Sequence, residues 1–211
     1  MTILTFPTLT RVPQQAEWWL QRRTQDFASP LTGSVQTQEL PGSYWRASLS
    51  WPPLQEADWR TLTGFLSALR GRAGRFFYGP PHARAPRIMP AYTTPLVMGG
   101  GQSGTSLSAD GFGASQTIFH AGDFVSYDTP GGRRMLHMVT ADCASSGGGV
   151  VAIPIEPAIR EAPADNAPLR FGQPGAPLGC VMRLTDDAAA RVSVGLARIG
   201  SMALEFEESL T

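Results

Sequence analysis

One stretch alone, WPPLQEADWRTLTGFLSALRG at 51–71, carries its apolar side chains at helical spacing. Elsewhere the apolar residues alternate in short runs, and 23 glycines and 18 prolines cut those runs apart. A period-two run buries one face of a strand, and Gly or Pro ends it. The pattern predicts a mainly β fold with one packed α-helix.

That helix is expected over about 53–70. Pro52 and Pro53 suit a first turn, where a missing N–H costs nothing. Glu56 and Asp58 lie near its start and Arg70 near its end, as the helix dipole favours. Leu54, Ala57, Leu62, Phe65, Leu66 and Leu69 form one broad stripe, and Gly71 suits the position just past the last turn.

Around the helix, 16–28 reads as a strand and SPLTGS at 29–34 as a turn. VQTQEL and SYWRASLSW read as a hairpin about Pro41–Gly42, with Trp45, Ala47, Leu49 and Trp51 on its buried face. GRFFYG at 74–79 returns as a short aromatic strand. From 84 to 175 turn formers dominate, with strands within 118–129, 133–142 and 149–159 and a hairpin signal at Thr129–Arg133. Further strands are expected at 179–185, 191–200 and 201–209, the last with Met202, Leu204 and Phe206 on one side. The expected division is a discontinuous core, 1–83 with 176–211, carrying an inserted small β domain at 84–175.

Motifs that carry chemistry are weak. Gly99, Gly101 and Gly104 spell GxGxxG, but TSLSADGFG rather than a helix follows, so a loop is expected and no nucleotide. GQSGT at 101–105 lacks the strand-to-helix setting of a nucleophile elbow. His82, His120 and His137 show no metal-ligand spacing, although the last two alternate within strands that a single sheet would bring together. Asp110, Asp123, Asp128 and Asp142 read as turn and strand-end residues, without a calcium loop. Glu205, Glu207 and Glu208 read as a small acidic edge. Cys143 and Cys180 lack zinc or redox spacing and read as buried free thiols of a reducing cytoplasm. No catalytic residue, cofactor or metal ligand is expected.

Composition narrows the partners. Seventeen acidic residues balance 17 basic ones, which excludes a bulk charge for nucleic acid or anionic membrane. All the basic residues are arginine, the usage of a high-GC genome. No window reaches the roughly 18 apolar residues of a membrane span, and the N-terminus has no signal-peptide pattern. A sparsely charged, neutral surface suits a subunit packed against neighbours.

The segment from Ser29 to Pro81 resembles the N-terminal region of distal tail proteins of siphophages and prophages. Their S-P-x-x-G turn corresponds to Ser29, Pro30 and Gly33, their strand tryptophan to Trp45, and their L-x-G-x-x-G-x-F passage to Leu69, Gly71, Gly74 and Phe76. HAGDFVSYD at 120–128 and IPIEPAIREAPADNAPL at 153–169 also look similar. The resemblance implies a tail-tube-like β-barrel or sandwich with one packed helix. It further implies a homo-hexameric ring in the virion tail, between tail tube and hub, through which DNA passes unread. The insert would then lie outside the ring. The better-known members carry a galectin-like domain that this sequence does not match, so its carbohydrate-binding role is not carried over.

The alternative is a glycan- or receptor-binding module of the tail tip, with Phe112, Phe119 and Phe124 as aromatic platforms. An enzyme is disfavoured because no Cys/His, His/Glu or Ser/His/Asp pattern converges.

Overall fold

A computed structural model describes residues 2–190, 193–194 and 199–210. Strands β1 (Ile3–Thr5), β2 (Gln15–Gln21), β3 (Thr24–Ala28), β4 (Val35–Glu39) and β5 (Tyr44–Ser50) precede helix α1 (Glu56–Leu69). Then come β6 (Arg75–Tyr78), β7 (Tyr92–Val97), β8 (Gly104–Phe112), β9 (Thr117–Phe119), β10 (Phe124–Asp128), β11 (Arg134–Val139), β12 (Cys143–Ala144) and β13 (Val151–Ile159). The chain returns with β14 (Cys180–Leu184), β15 (Ser193–Val194), β16 (Gly200–Ser201) and β17 (Ala203–Glu208).

Both ends of the sequence build one six-stranded sheet, ordered β1-β6-β14-β17-β5-β2 and antiparallel except at β1–β6. Alternation sets its inner face. Trp45, Ala47 and Leu49 of β5 and Leu204 and Phe206 of β17 are buried, while Arg46, Ser48 and Glu205 between them are not. The sheet curls until Trp18 of β2 lies 6.3 Å from Tyr78 of β6, so the barrel is nearly closed. Phe6, in the link from β1 to β2, plugs the interior against Trp51, Phe76, Tyr78 and Phe206. Each such ring or leucine taken from water contributes about 1.5–3 kcal/mol.

Helix α1 lays Leu62, Leu66 and Leu69 on this core, and Phe65 meets Phe6 and Phe76 edge-on. It starts at Glu56, later than the 53 expected. Leu54 instead exchanges both backbone hydrogen bonds with Gly200, which keeps it in a β-bridge after a bend at Pro52–Pro53. Ala57 is exposed, and Asp58 takes the inward position, where its carboxylate accepts the Thr10 N–H at 3.0 Å. At the far end Arg70 caps the helix in the left-handed conformation (φ +54°), and Gly71 follows with φ +68°, in the expected position just past the last turn.

The expected hairpin of 35–40 with 43–51 does not form. β4 pairs with β3 across the Ser29–Ser34 turn, and both edges of β5 are taken by β2 and β17. Of two competing turn signals, burial of the tryptophan face of β5 decided which one closed a hairpin. The predicted single strand at 16–28 is accordingly two, broken at Arg22–Arg23. Most of the strand expected at 191–200 lies outside the described residues.

The middle of the chain forms a second, five-stranded sheet, ordered β10-β11-β13-β8-β7. Its two edges are joined by 166–170. Arg170 exchanges backbone hydrogen bonds with Ser126 of β10, and Ala167 and Leu169 bond to Val97 and Pro95 of β7. This closed unit has its own buried cluster, including Leu107, Phe119, Tyr127, Ile153 and Phe171. It abuts the first core through Phe124 and Leu136. Trp45 stacks near Phe124 (5.4 Å) and donates its indole N–H to the Leu136 carbonyl at 2.9 Å.

Candidate functional site

β3 and β4 make an arm that carries only one another: all ten strand residues are exposed, on both faces. Polar alternation supplies no core, so the arm is held by its ladder, a Thr37–Asp26 hydrogen bond (2.7 Å) and a tight tip. At the tip Gly33 takes φ +69° and donates to the Ser29 carbonyl. Arg22 ties the base to Glu39 (3.3 Å) and to Glu156 of β13 (3.4 Å). A two-stranded hairpin is marginal in water by itself. This one also leaves apolar side chains uncovered: Phe27 is 50% exposed, Val35 60% and Leu31, at the tip, 95%.

A second surface feature lies at the barrel's seam. β1 and β2 are the outer strands of the sheet, and residues 6–13 run between them. Beside this link opens a cavity of about 680 Å³, lined by Phe6, Val12, Tyr78 and Pro177 among others, with the guanidinium-bearing Arg11 and Arg84 at its wall. Among the described residues no acidic side chain lines it.

The third feature is a buried polar junction between the two sheets. Glu208 continues the inward parity of Met202, Leu204 and Phe206, so strand geometry carries a carboxylate into the core. It accepts the Trp45 backbone N–H at 3.1 Å and a hydrogen bond from Arg160, which also donates to the Ser43 carbonyl. Burial pushes the Glu208 carboxyl above the usual glutamate range, against the pull of Arg160. Desolvation thus works against the attraction between the two side chains, as it does in buried pairs generally. Beside it His137 is wholly buried and stacks on Tyr127 at 5.5 Å. Its Nδ1–H donates to the Pro157 carbonyl at 2.7 Å, while its buried Nε2 has no partner among the described residues. Desolvation first, and then repulsion by Arg160, pull its pKa down to about 4.

This corrects the reading of Glu205, Glu207 and Glu208 as an acidic edge. β17 is an interior strand of its sheet, and each glutamate faces an arginine: Arg46 at 3.6 Å, Arg183 at 2.7 Å, and Arg160. Phe112, Phe119 and Phe124 are buried and offer no platform to a sugar. His120 and His137 have separate partners, the former lying 3.1 Å from Asp142. Asp123 is buried and holds the N–H groups of Arg87 and His120, whereas Asp128 joins Arg134 and Arg170. Gly99 and Gly101 lie in a loop organised by Gln102, whose amide spans Met98, Gly99 and Ser108, and Gly104 opens β8. His82 meets Phe124 edge-on, and Asp110 lies in β8. Cys143 and Cys180 are free and buried, with both thiol pKa values raised by burial.

Among the described residues no cluster of His, Cys, Asp and Glu is placed to hold a metal ion, and no helix is long and apolar enough to cross a membrane. The sequence matches no protein-family model and no curated protein.

Proposed function

We propose that this chain is a ring-forming structural subunit of the tail of a long-tailed phage, at the distal tip, joining tail tube to hub. The observation that carries the reading is the β3–β4 arm, a hairpin exposed on both faces that has nothing to pack on among the described residues of its own chain. Such an element is built for assembly. The unpaired outer edges of β1 and β2 and the neutral overall charge favour association in the same way. The resemblance over 29–81 supplies the identity of the assembly, and the nearly closed barrel with one helix on its core is consistent with a tail-tube-like fold.

In this reading residues 1–83 and 176–211 form the ring and 84–175 a small β domain outside it. Six copies surround a channel that passes DNA without reading it, in a virion assembled in the host cytoplasm. The protein performs no chemistry. Light scattering and negative-stain class averages of the purified chain test the proposal. Six-fold rings are expected, and a monomer at the highest soluble concentration would overturn it.

A further inference from the structure

The arm and the seam cavity have complementary chemistry, and a single chain does not bring them together. From Thr24 to Ser43 the arm has no basic residue; its charges are Asp26 and Glu39. Glu39 is already paired to Arg22, which leaves Asp26, hydrogen-bonded to Thr37 and next in sequence to the exposed Phe27, as the arm's carboxylate without an arginine among the described residues. The cavity is the converse, apolar with Arg11 and Arg84, neither of which has a carboxylate partner among the described residues. Its volume of about 680 Å³ is that of a small-molecule site, enough for the arm's tip but not for its strands.

We propose that the Pro30–Thr32 tip of one copy's arm seats in the seam cavity of a second copy, with Leu31 as the apolar anchor and Asp26 facing Arg11 and Arg84. The arm's own chain is not the occupant, because the arm stays exposed along its whole length while Arg22 ties its base to β13. The contact joins two different patches and is therefore heterologous. It propagates head to tail and ends in a ring when the rotation closes. Of the function proposed above it needs only that copies of this chain associate.

Leu31→Cys and Val12→Cys test the contact, since both positions are solvent-facing, at 95% and 78% exposure, and neither supports the core. The native cysteines are buried, so the unmodified chain is the blank for a short bismaleimide crosslinker. Mixing the two variants should give crosslinked dimers that neither variant gives alone. Leu31→Asp should raise the concentration at which the chain assembles by about tenfold or more. In the charge-swap arm, Arg84→Glu should weaken assembly and Asp26→Arg in the same chain should restore it. If light scattering shows assembly but the mixture crosslinks no more than its components, the tip-to-cavity contact is wrong and the ring reading stands. If the chain never assembles, both fall.

Discussion

Replacing His137 with Asn should flatten one limb of the protein's stability against pH. The wild-type imidazole is fully buried, with Nδ1–H on the Pro157 carbonyl and Nε2 facing no acceptor among the described residues, so the fold holds it neutral. Its pKa is about 4 in the fold against 6.5 as the ordinary value. Between those limits the unfolded chain binds a proton that the folded chain refuses. Stability is therefore fully present above pH 6.5 and is lost as pH falls toward 4. One proton over that window amounts to on the order of 3 kcal/mol.

Asn keeps an N–H for Pro157 and does not titrate. The quantity to measure is the stability of wild type minus that of His137→Asn, from urea unfolding at several pH values. Taking the difference removes the other titrating groups. Glu208, with its raised pKa, acts in the opposite sense, losing stability as pH rises through that value, whereas Asp128, with its lowered pKa, acts at lower pH than His137. The difference should fall by about 3 kcal/mol from pH 7 to pH 4. A flat difference would refute the neutral, desolvated histidine, as would one that grew on acidification.

Breaking the junction from one side should cost more than removing it. Glu208→Met and Arg160→Met should each cost about 3 kcal/mol in thermal unfolding, and the double variant less than either single variant. Leu66, 1% exposed on the helix's core face, should cost about 2–5 kcal/mol as Ala in chemical unfolding, and as Asp should leave no folded, assembled protein by circular dichroism and light scattering. At Gly111 (φ +80°) a Cβ would sit 1.9 Å from the Thr94 carbonyl oxygen, whereas at Gly122 (φ +91°) it would meet nothing within 4 Å. Gly111→Ala should therefore destabilise the chain by more than about 2 kcal/mol, and Gly122→Ala by only about 1 kcal/mol of backbone strain.

Local periodicity revealed what local physics decides. Alternation in 44–50 placed Trp45, Ala47 and Leu49 in the core, and helical spacing placed Leu62, Leu66 and Leu69 there. It failed where distant pairing chose between equal local options. Either turn, at Pro30–Gly33 or at Pro41–Gly42, closes a hairpin, and the strands flanking β5 decided between them. The helix start moved because Leu54 found Gly200 across the fold.

The polar junction was half legible. Parity from Met202 to Phe206 points Glu208 inward, but its acidity suggested an edge, and its partner Arg160 lies in a loop-rich passage without periodicity. The arm's sequence also announced itself: VQTQE has no apolar alternation, as befits a strand with no core to face.

The most direct test of the proposed assembly role is a cryo-EM map of tail particles purified from the cells that encode this chain. The account predicts six copies in one ring between tube and hub, with the β3–β4 arm of each copy in contact with its neighbour and residues 84–175 on the outside. Copies absent from the tail, or bound singly along its side with free arms, would contradict it.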